Sequence, residues 1–550
     1  MNLEFVEPHP QRVLEAFRQG HFDGLEIIGQ GDEKEFFELC FKEQMLPRLA
    51  TSMPTGRKKE EVPKWFILAA NLSLKLHGQN AYLGFEDVVR CGGLLQAMNP
   101  EIASKHLDPQ TQQALIHCQG FNDKNTYERT TPCDQDFLRK VARDVPAADW
   151  LNWFNGPVQE IFQSYGFYDP EGIFIGDGSY IFVPDNEAYE GSVVMWFDEH
   201  NHPVAYEKLT ADERKRVVRR RCYKWVSLLH RRGESFVYAG AALVPGNKHE
   251  NAVLWELVHQ FVQRVGPGVM KWLILDRGFI DGAEISRCKT EHGVDVLIPI
   301  KRNMDIWADA WALADSAKWE PIPEAKKEPV PVPSSRPEWL QRREEKRQKT
   351  LAERRALNPP PPPKVQQEIC AIEGFTSWSA ATVPLEVALI RTPGSDDPLT
   401  NWAVMTTASG VPSLSMLLLY GIRPAIEERP RQLKCFYDLT DFRSRSFNAI
   451  VAQVVFILLA YTLRQWQLWT LKKTVWAGLS PEQLQQRLAV HTQWVVIYHQ
   501  MSYVQLPLAT FTREVLELEG EARQKVLAKV RELEQRLLSP VAPLRPRRPP

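Results

Sequence analysis

Apolar residues recur at helical spacing in VLEAFRQ, EKEFFELCFKEQMLPRLA and VPKWFILAANLSLKLHG, and no strand-like alternation interrupts them. Residues 1–165 therefore read as a helical region. Near Phe167 the period shortens. GIFIGDGSYIFVP reads as two short β-rich runs around a Gly-Asp-Gly turn, and SVVMWFDEHNHPVAYEKL as a hairpin turning at Asp198 to His202. CYKWVSLLH and SFVYAGAALV predict two further strands.

From His249 amphipathic and apolar stretches alternate. HENAVLWELVHQFVQRV predicts a helix, KWLILD a buried strand, GAEISRCKTEHG a helix capped by Gly293, and VDVLIPI a second buried strand. Antiparallel strands followed by alternating helix and strand predict an α/β fold with a ribonuclease H-like sheet. Residues 320–366 break the pattern. PIPEAKKEPVPVP and NPPPPPK read as extended spacers around the charged helix-former EWLQRREEKRQKTLAERRA. PLEVALIRT and NWAVMTT predict strands after them, and a helical run starts at Ser413. The apolar stretch Ile450 to Leu463 contains Gln453 and is too short to cross a bilayer, so it reads as a buried helix. REVLELEGEARQKVLAKVRELEQRLL is amphipathic, and a basic, proline-rich tail follows. The resulting divisions are a helical region over 1–165, a first part of the core over 166–305, an insertion with proline-rich linkers over 306–400, the remainder of the core over 401–470, and a helical C-terminal region over 471–550.

Composition narrows the function classes. A chain of 550 residues has room for two to four domains, and 44% apolar with 25% charged residues are ordinary globular shares. The net charge of -1 gives no global basic excess, so contacts to nucleic acid must come from local clusters. The eight cysteines stand singly with no CxxC pair, which argues against a zinc ribbon or a disulfide framework and for free thiols in a reducing compartment. MNLEFVEPHPQR lacks the pattern of a signal peptide, and a cytoplasmic protein is expected.

Asp177 follows IFIG and Asp276 follows KWLIL, each at the expected end of an apolar strand, where a carboxylate is held rigidly at a sheet edge. Two such groups can hold divalent metals, and equally each can be a turn former or a helix N-cap. YGIRPAIEERPRQLK adds Tyr420, Arg423, Glu427 and Lys434 at the spacing Tyr-x2-Arg-x3-Glu-x6-Lys. On one helix Tyr420, Glu427 and Lys434 share a stripe, with Arg423 a turn from both Tyr420 and Glu427. A carboxylate flanked by cations and a phenol suits a metal site that also grips phosphate; an ordinary Arg–Glu surface pair is the plain alternative. Pro424 fits a first helical turn, Arg423 before it is biased away from helical geometry, and Pro430 is expected to kink the helix.

With Asp177 in GDGS, Asp276 in LDRGF and Glu427 in this signature, the sequence resembles the DDE transposases of the insertion-sequence-four family over residues 170–465. The resemblance implies a ribonuclease H-like catalytic core with a β-rich insertion, an N-terminal region that binds the element's DNA ends, and a homodimer in the complex with those ends. It further implies that Asp177, Asp276 and Glu427 coordinate two Mg²⁺ ions, with Mn²⁺ able to substitute. Tyr420, Arg423 and Lys434 would contact the DNA backbone near the cleaved end. The implied partner is double-stranded DNA, as element ends and as target, in a bacterial cytoplasm close to the nucleoid. Three rivals remain: a nuclease of the same fold without strand transfer, a non-catalytic DNA-binding protein derived from a transposase, and an unrelated structural protein in which the signature is fortuitous.

The run RKRVVRRRCYK, Arg214 to Lys224, holds seven cations and no acid. Arg219, Arg220 and Arg221 are its candidate phosphate contacts, against the alternative of a solvated basic face. His200 and His202 read as turn residues, Trp402 as sheet packing, and residues 336–355 as a solvated helix. The apolar stripe of the C-terminal helix fits either intramolecular packing or a dimer contact.

Overall fold

A computed structural model describes residues 10–29, 33–57, 62–85, 135–233, 235–323, 366–394, 400–470, 493–500 and 502–538. The proline-rich stretches and the charged segment between them fall almost wholly outside these residues. The chain divides into two compact units, residues 1–271 with 424–550, and residues 272–423.

The strands of the first unit are β1 (Gly24–Gly29), β2 (Ile173–Val183), β3 (Val193–Phe197), β4 (Pro203–Val204), β5 (Val218–Arg232) and β6 (Ser235–Pro245). The Gly-Asp-Gly sequence does not turn. β2 runs through it unbroken, with Asp177 opposite Ser227 and Gly178 opposite Val226 in an antiparallel ladder with β5. Pairing along ten residues of β5 outweighs the local turn preference of the glycines. β3 and β4 form the expected hairpin, in which the Asp198 amide donates to the His202 carbonyl at 3.0 Å and Asn201 takes φ 62°. The Asp198 carboxylate accepts from the amides of His200 and His202, so the two histidines belong to a turn.

The two faces of β2 and β5 have different coverings. Alternation puts Asp177, Ser227 and Leu229 on one face, and Gly178, Tyr180 and Lys224 on the other. On the Gly178 face lies the helix Glu250–Val265, so close that a Cβ on Gly178 would come within 2.7 Å of Glu250 Oε2. On the Asp177 face lies the helix Phe447–Thr470, whose Tyr461 ring meets Tyr238 of β6 at 5.6 Å. Residues Ala449 through Leu468 of that helix are all buried, so the apolar run is the core helix the sequence predicts, extended to 24 residues. Helices Lys64–Leu76, Gln135–Asp144 and Ala147–Trp153 pack around it. Trp150 meets Phe456 at 5.3 Å.

The second unit carries β7 (Trp272–Ile274), β8 (Asp295–Pro299), β9 (Glu320–Pro321), β10 (Glu368–Phe375), β11 (Leu385–Arg391) and β12 (Trp402–Thr406). Their order is β7-β8-β12-β11-β10-β9. β7 and β8 are parallel and joined through the helical segment that starts at Gly282, as a βαβ crossover requires, while the remaining pairs are antiparallel. Gly293 caps that segment at φ 68°, in the left-handed region open to glycine. The core holds Leu297, Ile369, Ala388, Ile390, Val404 and Met416, with Trp402 packed on it as the sequence predicts.

The termini of the chain are not purely helical. After the long helix the first unit adds β13 (Gln493–His499) and β14 (Ser502–Pro507), and β1 pairs antiparallel with β13 to give a sheet of order β1-β13-β14. Val13, Phe17, Val495, Ile497, Phe511 and Val526 close a separate small core around it. Arg18 makes a two-pronged bond to Glu514, both contacts at 2.9 Å. A strand at residues 24–29 corrects the all-helical reading of the N-terminal region. Its partner lies some 470 positions away, where local periodicity carries no information.

Candidate active site

In the first unit Asp177 sits in mid-strand rather than at a strand end. Its backbone is held in the interior of a ladder: Ser227 of β5 pairs with it, and Ser227 pairs in turn with Ala241 of β6. Glu427 stands on the helix Pro424–Phe436, which packs against β2 and lays Arg429 over the Phe236 ring of β6 at 4.6 Å. Phe236 pairs with Arg231, so it shares the β5 face of Ser227 and Leu229 and hence that of Asp177. The Glu427 helix therefore covers the face of the sheet from which Asp177 projects. Ile426, Pro430 and Leu433 form the buried stripe of that helix, and Glu427 lies beside the stripe, exposed.

The signature is not one continuous helix. Tyr420 ends the helix Ser413–Tyr420, and the Arg423 amide bonds back to the Tyr420 carbonyl at 2.9 Å to close a turn. A new helix then begins at Pro424, in the first-turn position that suits proline. Glu427 and Lys434 keep their common face two turns apart, whereas Tyr420 lies on a different helix, against Trp402 at 5.9 Å between ring centroids. Through Pro430 the segment stays helical as far as Phe436, with Pro430 held in the buried stripe.

Asp276 belongs to the second unit and does stand just past a strand, one residue beyond Leu275. Its carboxylate accepts from the Arg277 amide at 2.6 Å, and its carbonyl accepts from the Phe279 amide at 3.0 Å, which locks the turn. Arg423 Nη2 donates to Asp276 Oδ2 at 3.1 Å. The turn role considered for this aspartate is thus present, beside an ion pair to Arg423.

The cations of β5 split by face. Arg219 and Arg221 both reach Asp185 at 3.3 Å, and Arg221 Nη1 also donates to Ser192 Oγ at 3.2 Å. Arg221 is buried, while the Arg219 side chain is 54% exposed. Arg220 points to the other face, over the Phe182 ring at 4.7 Å. Further along that face Lys224 pairs with Glu250 at 3.3 Å and lies over the Tyr180 ring at 4.8 Å. Burial lowers the Lys434 amine below its ordinary range.

The sequence reading missed the polar cluster beside the Glu427 helix. Arg429 donates to Gln432 Oε1 at 2.8 Å and to the Tyr461 hydroxyl at 3.3 Å, next to Tyr238. Strand alternation counted from Asp177 through β5 into β6 would have placed Tyr238 on this face, but only once the register was known.

Among the described residues no group of three or more His, Cys, Asp or Glu side chains clusters closely enough to form a ready-made metal cage. The donor chemistry nonetheless suits a divalent cation. Carboxylate oxygens are the hard ligands such ions take, and Asp276 already attracts one positive partner, Arg423.

Comparison with known proteins adds the family. The transposase DDE domain family matches residues 188–463, a span that holds Asp276 and Glu427 and starts downstream of Asp177. Comparison with curated proteins gives no match. Among solved structures, a piggyBac transposase synaptic complex with hairpin DNA is similar at 10% identity, covering 73% of this chain and 67% of that one with a TM-score of 0.34, too distant a likeness to argue from. The family match spans half of the sequence, and the chain belongs to the transposase DDE domain family.

Proposed function

We propose that this protein is a DNA transposase of the insertion-sequence-four type, cutting at the ends of a mobile element and joining them to target DNA. The observation that carries the reading is the seating of the Glu427 helix on the sheet face from which Asp177 projects, inside a chain of the transposase DDE family. In this reading the catalytic core is ribonuclease H-like, and Asp177, Asp276 and Glu427 act together as ligands of Mg²⁺. A divalent cation held there supplies Lewis-acid stabilisation of the charge that develops on the phosphate oxygens.

The chain's own residues do the remaining work. The β5 ladder fixes the backbone at Asp177, and the buried stripe of its helix fixes the backbone at Glu427, so both carboxylates project from rigid elements. Arg423 presents a planar fork suited to a phosphate, and Lys434 a point charge whose burial eases its desolvation on DNA. Arg219 and Arg220, on opposite faces of β5, are two separate candidate phosphate contacts.

Products distinguish this reading from a nuclease of the same fold. Incubated with a labelled fragment bearing the element's end and a supercoiled target plasmid, the protein is expected to give cut fragments and fragments covalently joined to plasmid. Cut fragments alone would make it a nuclease. Binding with neither product would make it a DNA-binding derivative.

A further inference from the structure

The helix that carries Glu427, Pro424–Phe436, leaves its last carbonyls without partners of its own. The Tyr437 and Leu439 amides both bond back to the Leu433 carbonyl at 3.1 Å, and the chain turns away at Asp438, φ 48°. The carbonyls of Tyr437 and Asp438 face a side chain from the N-terminal region. Asn80 Nδ2 donates to them at 3.3 and 2.6 Å, across 357 and 358 positions of sequence. The Asp438 carbonyl also accepts from the Asp441 amide at 2.9 Å, and Asn80 is the donor that reaches both.

Lys75 decides which way that amide points. Its ammonium donates to Asn80 Oδ1 at 2.7 Å and to the Gln79 carbonyl at 3.2 Å. An ammonium only donates and a carbonyl only accepts, so the amide oxygen must face Lys75 and the NH2 group the helix end. Asn80 is 5% exposed and Lys75 2%. Burial pushes the Lys75 amine down to about 7, the mark of a costly group that packing alone does not ask for. Ile426, Pro430 and Leu433 settle which side of the Glu427 helix is buried, but apolar contact is non-directional. Hydrogen bonds are directional, and the two from Asn80 fix the place of the helix along its axis. Glu427 stands on the same rod, about 15 Å from that end at 1.5 Å per residue.

We propose that Asn80, its amide aimed by Lys75, is a positioning residue for Glu427: it pins the C-terminal end of the Glu427 helix to the N-terminal region and so sets where along the helix axis that carboxylate stands. This rests on the reading of Glu427 as a metal ligand.

Hydrogen exchange and Mn²⁺ binding, both on the full-length chain, test this without any turnover. Asn80→Asp keeps the shape and a bond to Lys75 but turns acceptors toward the two carbonyls. In this variant, free of metal, the amides of Leu433 to Leu439 are expected to exchange about tenfold faster for want of those bonds. Mn²⁺, followed by the paramagnetic signal of the free ion, is expected to bind about tenfold more weakly. In end cleavage kcat falls while KM for DNA holds. Lys75→Met, which frees the amide to turn over, should move all three readouts the same way, and it decides the matter if Asn80→Asp does not fold. Phe17→Leu, in the separate small core of the terminal sheet, is the control: its melting temperature should drop with exchange at 433–439 and Mn²⁺ binding unchanged. Wild-type Mn²⁺ affinity in a folded Asn80→Asp or Lys75→Met overturns the proposal, and so does an equal loss in Phe17→Leu. Glu427→Gln separates the two levels: if it binds Mn²⁺ as the wild type does, the ligand reading of Glu427 is what fails, and the positioning claim falls with it.

Discussion

Arg423 and Asp276, 147 positions apart in the chain, meet in a charge-assisted hydrogen bond of 3.1 Å. The guanidinium is 14% exposed and the carboxylate 39%, so the pair is only partly screened by water. One cation of the Tyr-x2-Arg-x3-Glu-x6-Lys spacing therefore lies directly on a proposed metal-binding carboxylate. Lysine at 423 would keep the charge and lose the planar fork. Arg423→Lys is expected to cut end-cleavage rates about tenfold or more, roughly 1.4 kcal/mol of transition-state stabilisation. Initial rates on an end-bearing fragment check this, and a wild-type rate would remove Arg423 from the site.

The basic strand offers two variants with opposite outcomes. Arg220 is partly exposed on one face, whereas Arg221 is buried between Asp185 and Ser192. Arg220→Gln is expected to weaken DNA binding and to lower the slope of log affinity against log salt by roughly 0.9, the value for one phosphate contact. Arg221→Gln should leave that slope alone and destabilise the fold by about 1–3 kcal/mol through its abandoned partners. Fluorescence anisotropy over a salt series, with urea melts alongside, separates them.

His230 makes stability depend on acidity. It is fully buried among Phe174 and Tyr168, its Nε2 accepts from the Asp169 amide at 3.0 Å, and burial holds its pKa down at about 4 against an ordinary 6.5. Between those two values the unfolded chain binds a proton that the folded chain does not. Stability therefore falls as pH drops from about 6.5 toward 4. In His230→Leu that part of the slope should vanish, although the variant is less stable at pH 7 for want of the acceptor. Urea midpoints from pH 4 to 7 supply the measurement, and an unchanged slope would contradict the assignment.

A backbone approach in the second unit sets the next prediction. A Cβ on Gly282 would lie 2.3 Å from the Ala380 carbonyl oxygen, and the Ser286 hydroxyl of the same helix accepts from the Thr382 amide at 2.9 Å. The neighbour is main chain and cannot rotate away. Gly282→Ala is expected to destabilise by about 1–3 kcal/mol, the usual range for overpacking, despite the better helix propensity of alanine. Thermal melts decide it, and an equal or higher melting temperature would show that the segment at Ala380 yields.

Local pattern carried the elements whose partners are close in sequence. The Asp198–His202 hairpin, the helix ending at Gly293 and the buried helix around Ile450 were all legible because period, turn chemistry and capping act within a few residues. The β1–β13 pairing was not, since its strands are far apart in sequence. The Gly-Asp-Gly sequence misled for a related reason: glycines promote a turn only where no neighbouring strand claims them, and β5 claims them here. Of the candidate site residues, the place of Asp276 just past an apolar strand was legible, whereas Asp177 lies in mid-strand and not at the strand end its apolar run suggests. The break of the signature at Gly421 to Arg423, the Arg423–Asp276 contact and the buried Tyr238 depend on how distant segments pack, and spacing says nothing of that.

Cleavage of a DNA fragment carrying the native ends that flank this coding sequence tests the central claim most directly, with wild type, Asp177→Asn, Asp276→Asn and Glu427→Gln each assayed in Mg²⁺ and in EDTA. Cuts at the ends that require Mg²⁺ and fall by at least about a thousandfold in every variant, with DNA binding retained, are the predicted result, a loss within the range enzymes lose when a key catalytic group is removed. A variant that cuts as fast as the wild type would show that its carboxylate is no part of the catalytic centre.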